Sequence, residues 1–314
     1  MEKIKLGIST CLLGEPVRYD GGHKLDRFLR DTLGQYVQYV PVCPEAECGF
    51  GVPRESMHLE GDPQAPRLVT TRSRRDVTEP MRSWAEKRVV ELEQDELCGF
   101  IFKSNSPSSG MERVKIFANG TARKTGVGIF AGIFMKHFPL LPVEEEGRLH
   151  DPHLRESFIE RIFVFKRWRE TVLEGRKKKS IIDFHTRHKL LLMSHTPRHY
   201  SVMGKLVAKA GELDTEDLYA QYIALLMEAL KLKATAKKNR NVLQHLMGYF
   251  KKQLSADEKR ELQEVIDFYH RGHVPLIVPI TLINHYVRKY DQPYLKEQYY
   301  LQPHPVELQL RNHV

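Results

Sequence analysis

Cysteine is the residue of this chain best suited to chemistry, and all four cysteines lie within its first 98 residues. Cys11 follows the apolar run Ile4-Lys5-Leu6-Gly7-Ile8-Ser9. Cys43 and Cys48 follow Val37-Gln38-Tyr39-Val40-Pro41-Val42, and Cys98 precedes Gly99-Phe100-Ile101-Phe102. Thiols placed at the ends of extended segments suggest one sulfur-ligated site drawn from distant parts of the chain. Such a site can be a disulfide, a zinc centre, a catalytic thiol or an iron–sulfur cluster. A disulfide framework suits poorly a chain that opens Met-Glu-Lys-Ile-Lys without an apolar leader and is long enough to build its own core. Structural zinc favours Cys-x-x-Cys knuckles, whereas the close pair here, Cys43 and Cys48, is separated by four residues. Any of the four can also be plain packing, and Cys98, in an apolar run, suits that reading best.

Polar loops accompany the thiols. Arg18-Tyr19-Asp20-Gly21-Gly22 reads as a turn carrying a carboxylate; Asp20 suits turn formation better than catalysis. Glu45 stands two residues after Cys43, across a proline that stiffens the loop, and can equally cap a helix start. Lys103-Ser104-Asn105-Ser106-Pro107-Ser108-Ser109-Gly110 is ordinary turn composition taken alone, but its hydroxyls and Lys103 fall after a third extended run.

The elements that must position these groups alternate. Extended runs at residues 4–9, 37–42, 99–102 and 114–117 are interleaved with helical spacing over 24–33 and 77–92, and residues 140–146 read as a last short strand and turn. That alternation predicts a Rossmann-like α/β domain with a parallel sheet and helices on both faces. Residues 125–132 read as a tight turn opening a packed helix, because their glycines lack nucleotide-loop spacing. Past residue 150 the pattern becomes long amphipathic helices: one begins at Asp151-Pro152, and others cover 180–194, 202–209, 215–230, 235–250 and 256–270, the last opened by a Ser255–Glu258 capping box. The expected organisation is a first domain over 1–148, a helical linker over 149–180 and an all-α domain over 181–314.

The chain has 314 residues and 41% hydrophobic content, and Lys plus Arg exceed Asp plus Glu by 49 to 40, a formal net charge of +9. No apolar stretch approaches the roughly 20 residues that span a bilayer. The expectation is therefore a soluble, cytoplasmic protein whose basic excess favours a polyanionic partner, nucleic acid before membrane surface. Arg72, Arg74 and Arg75, residues 176–179, and Lys231, Lys233, Lys237, Lys238 and Arg240 are the basic candidates. His185, His188, His195, His199, Tyr200 and Tyr249 stand beside them as contacts for RNA.

Four ordered motifs, Cys11-Leu12-Leu13-Gly14, Arg18-Tyr19-Asp20-Gly21, Cys43-Pro44-Glu45 and Ser106-Pro107-Ser108-Ser109-Gly110, resemble the TudS family of thiouracil desulfurases over residues 4–145. Residues 185–190, 241–250 and 299–305 resemble the helical YbgA-like family, and the two in this order resemble RudS proteins, which convert 4-thiouridine in tRNA to uridine. The resemblance implies a 4Fe–4S cluster held by three cysteines, a thiolated pyrimidine as substrate, and a helical domain that carries tRNA. Cys11 and Cys43 match family ligands, but Ser109 stands where the family has its third cysteine. Cys48, on the same loop as Cys43, is the expected replacement, with Cys98 in reserve. The expected chemistry is hydrolytic and without net redox change: an iron lacking a protein thiolate takes the substrate sulfur, Glu45 activates water, and Ser106 hydrogen-bonds the base or the sulfide. Ser104, Ser108, Ser109, Asp20 and Lys103 are supporting candidates. Two alternatives remain: a desulfidase of free thiouracil with a structural helical domain, and a non-catalytic RNA-binding or cluster-sensing protein.

Overall fold

The structure, a computed structural model, describes residues 3–118 and 120–313. The chain divides into two compact units, residues 1–154 and 155–314.

The first unit holds two four-stranded sheets. Strands β1 (Ile4–Ser9), β2 (Val37–Val42), β3 (Met57–Glu60), β4 (Arg67–Thr70), β5 (Phe100–Phe102), β6 (Val114–Ala118), β7 (Thr121–Gly126) and β8 (Val143–Glu145) alternate with a one-turn helix α1 (Pro44–Glu47), α2 (Thr78–Glu93) and α3 (Ile129–His137). One sheet runs β2-β1-β5-β8 with every pair parallel. Four strands therefore deliver their C-terminal ends to one edge. The central strands are apolar because both faces are covered: Leu6, Ile8, Phe100, Ile101 and Phe102 are fully buried. Gly7 admits the Phe100 ring, since a Cβ there would lie 2.2 Å from Phe100 Cδ2.

The expected place of residues 114–117 in this sheet is overturned. β6 belongs to the second sheet, ordered β4-β3-β6-β7, parallel to β3 and antiparallel to β7. Its alternation explains the choice: Val114 and Ile116 are buried while Lys115 and Phe117 face water, the pattern of a strand with one solvated face. A helix over 24–33 is likewise replaced by a π-turn at Phe28–Thr32 and a 3-10 turn at Leu33–Gln35. The start is delayed by Asp26, whose Oδ1 accepts from Leu29 N at 3.0 Å. The expected helix over 77–92 is α2, and residues 125–132 do open α3.

The second unit is helical, with α4 (Pro152–Leu173) leading into it, then α5 (Lys178–His195), α6 (Pro197–Ala208), α7 (Thr215–Lys231), α8 (Ala236–Tyr249), α9 (Ala256–His270), α10 (Ile277–Lys289) and α11 (Pro293–Lys296). The Ser255 capping box is present in full. α10 escapes a reading from pattern because Pro279 lies in it, but a proline in the first turn removes no intrahelical bond. Trp168, Phe184 and Tyr222 pack ring on ring at its centre. Beside them Glu160 is buried against His195 Nε2 at 2.5 Å and Arg311 Nη2 at 3.4 Å.

Candidate active site

The C-terminal edge of the parallel sheet is where the chemistry-bearing loops meet. β1 runs into the 3-10 turn Thr10–Leu13, which contains Cys11. β2 ends at Cys43, the N-cap of α1, and Glu45 follows within that turn. β5 leads directly into the loop of residues 103–110, and β8 ends on three consecutive carboxylates. A cavity of about 360 Å³ opens here, lined among others by Cys11, Cys43, Glu45, Lys103, Ser106 and Ser109. Ser104 lines it as well.

Glu45 is its most connected wall residue. Its Oε1 accepts from Ser108 Oγ and lies 3.5 Å from Ser106 Oγ, and the two hydroxyls are 2.9 Å apart. Ser106 Oγ in turn accepts from Ser109 N at 3.1 Å, which shapes the loop. Oε2 lies 3.7 Å from Cys43 Sγ and 3.6 Å from Arg54 Nη2. Arg54 itself is tied to Val17 O at 2.9 Å and to Gly51 O at 3.1 Å. Glycine at 128 is required for this wall, since a Cβ there would lie 2.5 Å from the carbonyl of Ser108.

The opposite wall is fixed by β8. Glu146 accepts from the Lys103 ammonium, from Ser104 N at 2.6 Å and from Ser104 Oγ at 2.8 Å. Glu145 Oε1 accepts from Met111 N at 2.7 Å, and Glu144 pairs with Arg148. A lysine held this way keeps a positive charge in the wall at a set height.

Burial, with Glu45 second, pushes the Cys11 thiol up to about 11 and the Cys43 thiol up to about 12. Both stay protonated at neutral pH unless a cation compensates the thiolate, which is what a bound metal does. Two soft donors opening on one cavity fit an iron centre. Among the described residues no group of three or more His, Cys, Asp or Glu is arranged to hold a metal ion. Cys48 does not line the cavity; it is half-buried and packs against Leu59, Leu68, Met81 and their neighbours. Cys98 is buried at the start of β5, with its Sγ 3.9 Å from Glu96 O.

Asp20 lies outside the lining, exposed, and accepts from Gly22 N at 3.0 Å as a turn-former does. Ser108 is buried behind the wall and reaches the site through Glu45. Reasoning from sequence missed Arg54 and Glu146. Arg54 had a signal, a lone arginine after Val52-Pro53 on the loop that follows α1; the triple glutamate read only as a turn. The histidines expected on an RNA-facing surface are not there: His185, His188, His195 and His199 are all buried. Each has an internal partner, Tyr222 OH for His185, Arg167 for His188, Glu160 for His195 and Thr196 for His199. They sit on the apolar sides of their helices, so the core claims them. Among the basic candidates, Arg74 pairs with Glu60, Arg176 with Glu216 and Arg240 with Asp267.

Comparison with known proteins matches both units. A family model described as 2-thiouracil desulfurase covers residues 6–146, and one described as a protein of unknown function, DUF1722, covers residues 189–305. The uncharacterized protein YbgA of Escherichia coli (strain K12) is 30% identical over 158 residues, which is 50% of this chain and 94% of that protein. Among solved structures, the [4Fe-4S]-dependent thiouracil desulfidase TudS is 30% identical, covering 48% of this chain and 95% of that one, with a TM-score of 0.39. The chain thus belongs to the YbgA family, and residues 6–146, which carry the thiol cavity, match the model described as 2-thiouracil desulfurase.

Proposed function

We propose that this protein is a desulfidase that replaces the C4 sulfur of 4-thiouridine in tRNA by oxygen, releasing sulfide. The observation that carries the reading is the convergence of Cys11, Cys43, Glu45, Lys103 and Ser106 on one cavity inside residues 6–146. Cys11 and Cys43 would hold a 4Fe–4S cluster, with Cys48 as the third thiolate once its side chain leaves the apolar cluster it packs against. When bound, the cluster supplies a soft Lewis acid that accepts the departing sulfur.

The chain's own residues do the rest. Glu45 takes a proton from water onto its carboxylate as the water oxygen adds to C4 of the base. Ser106 and Ser108 hold that carboxylate in register, so its position does not depend on substrate. The Lys103 ammonium, clamped by Glu146, offsets the negative charge that the ring gains on addition. The C–S bond then breaks, and the products balance as uridine and hydrogen sulfide. The net charge of +9 supports a polyanionic substrate such as tRNA. No helix among the described residues is long and apolar enough to cross a membrane.

The test is anaerobic reconstitution with iron and sulfide, followed by sulfide release from thiolated tRNA and from free 4-thiouracil at 50 and 200 mM salt. Faster release from tRNA, falling steeply with salt, is the expected result. Release from the free base alone would restrict the protein to free thiouracil. A loaded protein that releases no sulfide from either would make it a binding or sensing protein.

A further inference from the structure

A second cavity, of about 320 Å³, lies between α4 and α5 in the helical unit. Its walls are unlike those of a helix–helix contact. α4 contributes Arg167, Glu170 and Thr171, spaced three and four apart, and α5 contributes Asp183, Phe184 and Arg187 at the same spacing. Side chains so spaced share one face of a helix. The lining carries three carboxylates, Glu170, Glu174 and Asp183, beside the guanidiniums of Arg167 and Arg187.

The back wall is rigid. Phe184, His188 and Tyr299 stack with centroids 3.9 and 4.5 Å apart, and the Arg167 guanidinium lies 3.9 Å over Tyr299. Arg167 Nε donates to His188 Nε2 at 3.0 Å and Nη1 donates to Pro303 O at 2.9 Å. His188 Nδ1 faces Phe184 O at 2.8 Å and donates to it, leaving Nε2 to accept. Burial, then the Arg167 charge, keeps this imidazole neutral, well below its usual range. Arg167 Nη2 is buried and has no hydrogen-bond partner among the described residues. At the rim, Asp183 and Arg187 are neighbours one turn apart on α5, and Arg187 has an exposed pair with Glu297 at 3.3 Å. Such a pair is easily exchanged.

We propose that this groove binds a guanine base. A carboxylate beside a guanidinium matches guanine's edge, where N1–H and N2–H are adjacent donors and O6 and N7 adjacent acceptors. Adenine and uracil each set an acceptor against the carboxylate, and cytosine offers it one donor only. A guanine can come from a free nucleotide or from an unstacked position in RNA, where single-stranded bases are read by such edges. The RNA source rests on the reading proposed above; recognition of the base does not.

The experiment is calorimetric titration of the full chain with the four ribonucleoside monophosphates, and with a six-nucleotide single-stranded RNA containing one guanosine or an adenosine in its place. Saturable binding of guanosine monophosphate, at least tenfold tighter than the other three, is expected. Asp183→Asn and Arg187→Ala, both exposed, should each weaken it at least fivefold without changing the circular dichroism or the midpoint of unfolding. Equal binding of all four nucleotides, no binding up to 5 mM (roughly the weakest contact worth calling a site), or indifference to both substitutions overturns the proposal. Tighter binding of the guanosine RNA than of the mononucleotide assigns the groove to RNA; equal affinity assigns it to the free nucleotide. Sulfide release is measured on the same samples, so a failed desulfidase reading and a failed groove are separate results.

Discussion

The two cavities of this molecule are built in opposite ways. The thiol cavity draws Cys11 from the end of β1, Cys43 and Glu45 from the end of β2, and Lys103 and Ser106 from the end of β5, with Glu146 after β8 holding Lys103, and its chemistry rests on thiols and one carboxylate. The groove in the helical unit takes its charged residues from two consecutive helices, so local helical spacing alone aligns them. The first site depends on the whole sheet closing correctly. The second depends on two helices and a stacked wall. A reacting group must be placed by several rigid elements to hold its geometry, whereas a recognition edge needs only neighbours on one helix.

The sharpest break in this comparison is Cys43→Ala, which removes a buried thiol from the first cavity. Iron and sulfide content after reconstitution should fall to background, while guanosine monophosphate titration stays as in the parent chain. Next comes Glu45→Gln. Loss of the base should lower kcat by about 10²- to 10⁴-fold with iron content kept, read as sulfide release per cluster. A larger drop in iron than in rate would instead make Glu45 a structural partner of Cys43.

The reverse break acts on the helical unit. Glu160 is fully buried; burial raises its pKa, but His195 and Arg311 override that and hold it at about 2 instead of 4.5. Because the folded value is the lower one, the unfolded chain binds the proton more readily. Stability on the order of 3 kcal/mol from this carboxylate is present above about pH 4.5 and drains away as pH falls towards 2. Glu160→Gln removes one of the two carboxylates that meet the buried Arg311, leaving Glu156 at 3.1 Å, and should cost about 1 to 3 kcal/mol. Unfolding followed by Trp168 fluorescence at pH 7, in a chain whose other tryptophan is replaced by Trp84→Phe, checks this, and iron content should be retained. The smallest effect is expected at the third ligand. Ser109 already lines the cavity and Cys48 does not, so Ser109→Cys should restore full iron content to a Cys48→Ser variant. If it does not, Cys48 reaches the cluster by a rearrangement that Ser109 cannot replace.

How legible each region was follows from residue type. Cysteine is scarce in this chain, so Cys11 and Cys43 stood out at strand ends, and the Ser106 to Ser109 loop stood out beside them. Cys48 stood out equally, yet its position after α1 turns it towards an apolar cluster, which spacing alone does not reveal. The parallel sheet was readable where both faces are buried, as in β1 and β5. The second sheet was not, because every β7 residue before Gly126 is exposed and carries no apolar pattern. The helical groove stayed hidden for a different reason: Asp183 and Arg187 look like any solvated helix face until a second helix brings its own charges opposite.

The clamp at the end of β8 bears on the order in which this protein is made. Glu145 and Glu146 hold the backbone and side chains of residues 103, 104 and 111, so one wall of the thiol cavity is fastened by the last strand of its domain. On the ribosome, Cys11 and Cys43 emerge 135 and 103 residues before that fastening exists. A nascent chain holds both thiols on an unfinished sheet until residue 146 has cleared the exit tunnel, so the thiol cavity closes while the helical half is still being synthesised.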